Sequence, residues 1–256
     1  MKNNQSISVI VPIYNTRIKD IPVFIIGKEI NDVEFVICDN STDELIKTEN
    51  KKYSSRYTFI NYCDMNGNKG ISVAYNYGIE RAKGKIICIF DDDTRPGENY
   101  FSSVRQYMSE DPECVYVPIV MSGNRMLSPL KVFGPLVHRT SNVSMLQAKN
   151  ISAFNTGMVY SRDIGKTIKY NECLFLEFVD HDFCRRIKQA GINIRIMEDI
   201  ILEQNYSKDN DNKAQAQFRL NTARHDLPIY YSNSIVSKIY CKVYLLYRQI
   251  AFRIRY

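Results

Sequence analysis

Several features that mark common protein classes are missing from this sequence. Its seven cysteines are scattered between Cys38 and Cys241 without one C-x-x-C pair, which argues against a zinc ribbon. No apolar run reaches the ~18 residues that a membrane-spanning helix needs. The first residues, MKNNQSIS, lack the apolar core of a signal peptide. Several cysteines lie inside apolar runs, as buried reduced cysteines do. We therefore expect a cytoplasmic protein.

The net charge of the chain is mild. The net charge is +6 over 256 residues, and no internal repeat or low-complexity stretch is present. Such a charge permits anionic partners, such as nucleotide sugars or lipid head groups, and does not call for nucleic acid. With 45% apolar and 24% charged residues, the chain can bury a sizeable core. Its length suits one large α/β domain, or one domain with a tail.

The sequence is organised around one apolar run that ends in three aspartates. Ile86 to Phe90 is uninterrupted, and Asp91, Asp92 and Asp93 follow directly. A short apolar run that ends in polar residues predicts a buried central strand, here in a mostly parallel α/β sheet flanked by helices. Three adjacent carboxylates repel one another, and a divalent cation such as Mg²⁺ or Mn²⁺ offsets that repulsion. A metal–diphosphate site and a solvated acidic turn are the two interpretations of this stretch.

Other apolar runs predict further strands that also end in polar residues. The predicted strands cover residues 8–15, where the strand ends at Pro12, and residues 33–43, 57–63 and 114–122. The predicted helices cover residues 71–82, after an NGNKG turn, and residues 98–108. Since ligands of open α/β sheets bind beyond the carboxyl ends of the strands, we expect these polar residues to share one crevice.

The second half of the chain has a less regular pattern. Residues 123–150 show no clean period, which leaves a lid or acceptor-contacting segment and an irregular packed excursion as alternatives. Residues 152–163 predict two strands joined by a tight turn. Residues 175–198 predict a helix with an acidic start and a basic end, stopped by Gly191 and followed by a strand. Residues 205–215 are polar and predict a loop.

The last section, residues 216–256, is predicted to be a helical tail behind a domain of residues 1–215. Residues 236–256 interleave lysine and arginine with large apolar residues and contain no acid. A basic amphipathic helix either lies on an anionic membrane or packs on the domain with its basic face in solvent. Both interpretations stay open, and the first implies a peripheral protein at the inner face of the cell membrane.

Taken together, the motifs resemble those of one known family. SVIVPIYN, VICDNSTD, NKGISVAYNYGIERAKGKIICIFDDDT, NTG and FVDHDFCRR follow one another over about residues 7–200. This order resembles the family-two inverting glycosyltransferases with the GT-A fold, and among them the bacterial rhamnosyltransferase-type members. The resemblance implies a UDP- or dTDP-sugar donor, a glycan or lipid-linked acceptor, and a role in bacterial surface polysaccharide synthesis.

The resemblance also implies roles for individual residues. Those implied to contact the nucleotide are Pro12, Tyr14, Asp39, Asn68, Lys69, Asp91 and Asp92. Of these, Asp39 is implied to meet a pyrimidine base, and a simple turn residue is the alternative. Asp93 is implied to bind Mn²⁺ or Mg²⁺. Asp180 is implied to be the base that deprotonates the acceptor hydroxyl, with His181 as a second candidate and helix capping as the alternative. Residues implied to contact or support the acceptor are Thr156, Gly157, Asp182 and Arg186.

One position departs from the family pattern. Many members carry a histidine after the strand that follows the catalytic helix, as a further metal ligand. This chain has Leu202, Glu203, Gln204 and Asn205 there. Either Glu203 substitutes for the histidine, or two aspartates and the diphosphate suffice to hold the metal. Two other functions stay open. A sugar-nucleotide nucleotidyltransferase would carry a Gly-rich basic loop after the first strand, which PIYNTR lacks, and a non-catalytic nucleotide-sugar-binding module would need no base.

Overall fold

The described part of the chain folds around the acidic strand, with helices on both faces of one main sheet. The computed structural model describes residues 6–140, 142–204 and 211–256. The strands are β1 (Ile7–Ile13), β2 (Val33–Asp39), β3 (Ile60–Asp64), β4 (Ile86–Ile89), β5 (Val115–Ser122), β6 (Arg125–Ser128), β7 (Leu130–Phe133), β8 (Leu136–Arg139), β9 (Ile151–Ser152), β10 (Val159–Ser161) and β11 (Ile194–Glu203). The α-helices are α1 (Pro22–Gly27), α2 (Glu44–Ser54), α3 (Ile71–Arg81), α4 (Tyr100–Glu110), α5 (Arg162–Thr167), α6 (Val179–Gln189), α7 (Lys213–Tyr230) and α8 (Ile235–Arg255).

The main sheet has the strand order β11-β5-β10-β4-β1-β2-β3, with β6 added to β5. β1 runs parallel to both β2 and β4, β2 runs parallel to β3, and β5 runs parallel to β11. Only β10 among the strands in this order runs antiparallel to its neighbours, β4 and β5. The carboxyl ends of β1, β2, β4 and β11 therefore meet at one edge of the sheet, together with the turn that precedes β10. The predicted mostly parallel α/β fold is confirmed.

Both faces of the central strands are buried, which explains their unbroken apolar sequences. Successive residues of a strand point to opposite faces. Ile10 and Ile87 therefore pack beneath α3, α6 and α7, whereas Val9 and Cys88 pack beneath α1 and α4. Because the helices cover both faces, ligands can approach the central strands only at their ends.

Residues 123–150 are more regular than their sequence indicates. They contain β6, which pairs with β5, and the hairpin β7–β8, which forms a small sheet in the order β8-β7-β9. These strands have four residues each, too few to give a recognisable period. Residues 152–163 also differ from their prediction, because β9 and β10 lie in different sheets and α5 follows from Arg162.

Three boundaries differ from their predictions. β1 continues through Pro12 to Ile13, since its register with β2 is unbroken there. The helix expected from residue 175 to its stop at Gly191 is α6, which begins only at Val179. The predicted boundary between residues 215 and 216 falls inside α7, where Asn212 and Gln215 cap the helix reciprocally. A loop is expected over residues 205–215, of which residues 205–210 lie outside the described residues.

The last two helices pack on the domain. Ala223 and Leu227 of α7, and Cys241 of α8, are buried in the same apolar layer as β1 and β4. Within the described ranges, no helix combines the length and the apolar character needed to cross a membrane. The division into a domain and a helical tail stays a prediction.

Candidate active site

Two neighbouring cavities open at the edge where the strand ends meet. One, of about 600 Å³, has Tyr14, Phe175 and Phe218 in its wall, and we call it the aromatic cavity. The other has about 410 Å³, and we call it the acidic cavity after the carboxylates described below. Ile71 and Leu176 line both cavities, so one ligand can extend from the first into the second.

The three aspartates after β4 are divided between the two cavities. Asp91 and Asp93 line the acidic cavity, while Asp92 lines the aromatic one. Asp91 accepts a hydrogen bond from the Tyr75 hydroxyl at 3.2 Å, and Asp92 accepts one from Thr16 Oγ1 at 2.5 Å. The acidic strand end therefore forms the boundary between the two cavities.

The electrostatics of this boundary favour a bound cation. Burial, and after it the charges of Asp93 and Asp92, raises the pKa of Asp91 to about 7. Burial also raises the pKa of Asp92, against the hydrogen bond that Thr16 donates. Carboxylates that are buried side by side are costly to ionise together, and a nearby cation lowers that cost.

Gln204 completes the oxygen-rich corner of the acidic cavity. Its side-chain nitrogen donates to Asp91 at 3.1 Å and to Asp93 at 3.2 Å, whereas its buried Oε1 has no partner in the described structure. The two ends of a glutamine amide are assigned from their hydrogen bonds, so a rotated amide would present its oxygen to a cation between the aspartates. Two carboxylates and an amide oxygen are ligands that suit Mg²⁺ or Mn²⁺.

The corner provides two carboxylates and one amide as possible metal ligands. Within the described ranges, no group of three or more histidine, cysteine, aspartate or glutamate side chains is arranged as a metal site. Mg²⁺ is usually held by one or two carboxylates together with phosphate oxygens of the substrate. The residues present therefore fit a metal that binds together with a diphosphate.

Asp180 lines the same acidic cavity as this corner. It lies in the first turn of α6, where the helix dipole stabilises a carboxylate. Phe178, in the left-handed conformation with a φ of 64°, begins the helix and turns its first residues to the cavity wall. Asp180 Oδ1 accepts the His181 backbone N–H at 2.8 Å, and its Oδ2 has no hydrogen-bond partner among the described residues. Asp180 therefore keeps one oxygen available to accept a proton from a substrate.

The residues around Asp180 hold it in place. His181 Nδ1 lies 2.8 Å from Ser152 Oγ, and the imidazole lines the acidic cavity. Asp182 is 1% exposed and pairs with Arg185 and, at 2.6 Å, with Arg186. The geometry of Asp182 and Arg186 thus suits support of α6, since neither lines the acidic or the aromatic cavity.

Comparison with known proteins agrees with this geometry. The profile of the family described as glycosyl transferase family 2 matches residues 8–168. The chain belongs to glycosyl transferase family 2. This membership confirms the predicted glycosyltransferase activity and sets aside the nucleotidyltransferase and the non-catalytic module.

Two curated relatives of this family-2 chain come from bacteria. The dTDP-rhamnosyl transferase RfbF of Shigella flexneri is 23% identical over 208 residues, which cover 77% of this chain and 68% of RfbF. The minor teichoic acid biosynthesis protein GgaB of Bacillus subtilis (strain 168) is 28% identical over 131 residues, covering 48% of this chain and 14% of GgaB. This chain therefore corresponds to a small part of GgaB.

Solved structures show that the fold is shared with GT-A glycosyltransferases. GalNAc-T7, solved with UDP, GalNAc and Mn²⁺, aligns with a TM-score of 0.62 at 15% identity, over 80% of this chain and 45% of that one. Residues 1–349 of TarS from S. aureus align with a TM-score of 0.57 at 15% identity, over 96% of this chain and 72% of that one. The predicted GT-A fold is confirmed.

In this family-2 chain, most residues predicted to contact the nucleotide line one of the two cavities, with two exceptions. Pro12, Tyr14 and Asn68 line the aromatic cavity. Asp39 lines neither of the two cavities, because its buried carboxylate accepts hydrogen bonds from the Ser41 backbone, Asn50 and Tyr62. The exposed Lys69 also lines neither. Contact of Asp39 with a pyrimidine base stays a prediction.

Thr156 and Gly157 support the acidic strand end. Thr156 Oγ1 accepts the Asp91 backbone N–H at 3.2 Å, and the Gly157 backbone N–H donates to Ile89 at 2.7 Å. Gly157 has a φ of +73°, and a Cβ there would collide with Leu202 and Pro118. The geometry of both residues suits support of the site.

The C-terminal helices supply site residues that the sequence did not reveal. Phe218 and Arg219 of α7 line the aromatic cavity, and Tyr244 of α8 lines the acidic one. The buried Asp226 accepts the backbone N–H groups of residues 175–177 at 2.8 to 3.0 Å. The sequence did contain one indication of this role, because Asp226 lies between apolar residues of a helix. A buried acid in such a position needs hydrogen-bond donors.

Proposed function

We propose that the protein transfers a sugar from a UDP- or dTDP-sugar to a hydroxyl of a glycan or lipid-linked acceptor, with inversion, in bacterial surface polysaccharide synthesis. The observation that carries the proposal is the division of Asp91, Asp92 and Asp93 between two joined cavities. The names of RfbF and GgaB support it, since they specify a dTDP-rhamnosyl transferase and a teichoic acid biosynthesis protein.

Each cavity suits one part of the donor. Tyr14 and Phe218 offer aromatic surface for a nucleoside in the aromatic cavity, and Arg219, ion-paired with Asp211 at 2.7 Å, lies in the same wall. The diphosphate would lie at the aspartates between the cavities, where Asp91, Asp93 and Gln204 would hold Mn²⁺ or Mg²⁺. When bound, the metal neutralises the charge of the leaving diphosphate. The sugar would then occupy the acidic cavity.

Asp180 is the base in this proposal. An acceptor hydroxyl is a weak nucleophile until a positioned group takes its proton. Asp180 lies in the wall of the cavity assigned to the sugar and keeps Oδ2 available, so it accepts that proton as the hydroxyl attacks. Attack from the face opposite the diphosphate inverts the configuration of the transferred sugar.

A panel of nucleotides tests the donor assignment. We expect UDP or dTDP, each with Mn²⁺, to raise the melting temperature more than GDP or CMP does, because a ligand at 100 times its dissociation constant adds about 2.7 kcal/mol of stability. Phe218→Ala should weaken this stabilisation, whereas Phe133→Ala, which alters an exposed aromatic residue outside the aromatic cavity, should not. Equal stabilisation by all four nucleotides, or by none, would contradict the assignment.

The proposal includes peripheral contact with an anionic membrane through α8. The helix packs on the domain along the side that carries Ser237 and Cys241. Its opposite side exposes the large apolar residues Ile235, Val236, Ile239, Val243, Leu246, Tyr247, Ile250 and Ile254. Lys238 and Lys242 lie beside this exposed apolar face. An interfacial helix has this arrangement, with apolar residues in the acyl boundary and cations at the head groups.

Vesicle binding tests the membrane contact. Lysine near an anionic surface contributes about 1 kcal/mol, so Lys238→Gln with Lys242→Gln should weaken binding to phosphatidylglycerol vesicles about 30-fold. Lys166→Gln with Lys169→Gln is the matched control on and beside α5 and should bind as the wild type does. Deleting α8 would not isolate the membrane contact. The deletion would also remove the ion pair between Arg248 and Glu177, which lines the acidic cavity. Unchanged vesicle binding, or a dimer that buries the apolar face, would contradict the contact.

A further inference from the structure

A third, smaller cavity adjoins the acidic cavity and shares His181 with it. It has a volume of about 90 Å³ and lies between α6, the turn of the β7–β8 hairpin and the junction of α7 and α8. His181, Arg185 and Lys188 line it from one face of α6, at positions i, i+4 and i+7. Its wall contains no aspartate or glutamate within the described ranges. We call it the basic cavity.

Lys188 brings a cation into this cavity without a neutralising partner. Its half-buried Nζ donates to the Ile151 carbonyl at 2.9 Å, and it forms no ion pair with any described residue. Burial lowers the pKa of Lys188, so its ammonium would gain from a negative charge beside it. A lysine in this position is set to interact with an anion.

Arg185 adds a second, fixed cation. Its guanidinium donates to the Tyr230 carbonyl at 2.9 Å and packs 4.4 Å from the centre of the Tyr230 ring. Its carboxylate partner, Asp182, is shared with Arg186, so one negative charge faces two positive ones. The cavity wall therefore carries an excess of positive charge in a fixed arrangement.

The surface beside the cavity is apolar. Phe133, next to the cavity residue Gly134, is 73% exposed, and Ile235 and Val236, at the start of α8, are 77% and 66% exposed. The volume of the cavity is well above the ~10–15 Å³ that one water needs, which leaves room for a single oxyanion group. A basic cavity beside exposed apolar side chains suits a ligand with an anionic group on a hydrocarbon chain.

We propose that the basic cavity binds a phosphate of a lipid-linked acceptor. The hydrocarbon chain then lies along Phe133 and the first turn of α8, and the acceptor sugar enters the acidic cavity past His181. This inference rests on the proposed function, because it specifies which of the two acceptor types the enzyme takes. It assigns Arg185 and Lys188 to acceptor binding, with no part in the donor site.

Calorimetry with farnesyl phosphate tests the proposal. The titration is run in EDTA, which suppresses metal-dependent binding of phosphate at the donor site. We expect saturable binding that Lys188→Gln weakens at least about tenfold, because a hydrogen bond between charged groups is lost. Lys188→Arg should keep most of the affinity. Lys166→Gln, at an exposed lysine of α5, is the matched control and should bind as the wild type does.

A second pair of variants does not depend on changing a buried residue. Gly134 lines the cavity and has a φ of +55°. A side chain at this position would have space, because no neighbouring atom lies within 4 Å of where its Cβ would be. Asparagine and aspartate both tolerate this left-handed conformation and differ there only in charge. We expect Gly134→Asp to bind farnesyl phosphate several-fold more weakly than Gly134→Asn does, because its carboxylate repels the phosphate.

Two results would overturn the proposal. One is wild-type affinity in Lys188→Gln together with equal affinities in the Gly134 pair. The other is farnesol or inorganic phosphate binding as tightly as farnesyl phosphate, which would show a purely apolar site or a free-phosphate site. Stabilisation by UDP or dTDP with Mn²⁺ is measured separately on the same variants. Farnesyl phosphate binding without nucleotide stabilisation would therefore reject the donor assignment and leave the acceptor site standing.

Discussion

Asp180→Asn is expected to lower the transfer rate at least about 10²-fold, because a positioned base contributes about 10² to 10⁴ to such a step. The variant keeps the shape of the side chain and can still accept the His181 backbone N–H that orients it. Nucleotide binding should be unchanged, since Asp180 lines only the acidic cavity of the two. The effect should therefore fall on the chemical step, with kcat reduced and the donor dissociation constant preserved.

The rate is measured as release of the nucleoside diphosphate, with a set of prenyl-phosphate-linked sugars as acceptors. Asp163→Asn provides a matched control, because Asp163 also lies in the first turn of a helix but lines neither cavity. A rate for Asp180→Asn within about tenfold of the wild type would remove Asp180 from the role of base. His181, which lines the same cavity, would be the next candidate.

Removal of the divalent metal is expected to abolish most of the activity, with Mn²⁺ or Mg²⁺ restoring it. A bound metal would neutralise the charge of the leaving diphosphate, and Asp91, Asp92 and Asp93 already repel one another at that point. Asp93→Asn should therefore weaken Mn²⁺ binding in the presence of UDP or dTDP and remove most of the transfer. Full activity in EDTA would contradict the metal assignment.

The same measurement of Mn²⁺ binding distinguishes Glu203 from Gln204, which are adjacent at the end of β11. Gln204→Ala should weaken Mn²⁺ affinity about 10-fold or more, as loss of a ligand or of its hydrogen-bonded support does. Glu203→Gln should leave the affinity within about twofold, because Glu203 is exposed and pairs through its backbone with Arg95. Free Mn²⁺ is measured by electron paramagnetic resonance. A larger loss of Mn²⁺ affinity in Glu203→Gln than in Gln204→Ala would show that Glu203 is the residue that supports the metal.

The sequence predicted the elements of the site that depend on local pattern. The position of Asp91 to Asp93 followed from an apolar run, because such a run forms a buried strand and its end lies at the ligand-binding edge. The presence of α6 followed from its acidic start and basic end, although the helix begins at Val179 and not at residue 175. These features depend on neighbouring residues in the chain, which a single sequence displays.

Other elements of the site depend on contacts between distant parts of the chain. Phe218 reaches the aromatic cavity only because α7 packs back across the strand ends, and nothing in its local sequence shows that. Asp39 lies at the carboxyl end of β2 as expected, yet Tyr62 and Asn50 donate hydrogen bonds to its carboxylate. The sequence could have favoured Gln204 over Glu203 as the residue near the metal. Residues alternate between buried and exposed at the end of β11, where Leu202 is buried and Glu203 points outward.

The anomeric configuration of the product is the decisive test of the proposed mechanism, because inversion requires Asp180 and the diphosphate to lie on opposite faces of the sugar. The measurement is nuclear magnetic resonance of the glycoside formed by the wild type from UDP- or dTDP-sugars in the presence of Mn²⁺. We expect a single product whose configuration is opposite to that of the donor. A product that retains the configuration of the donor would contradict the proposed mechanism.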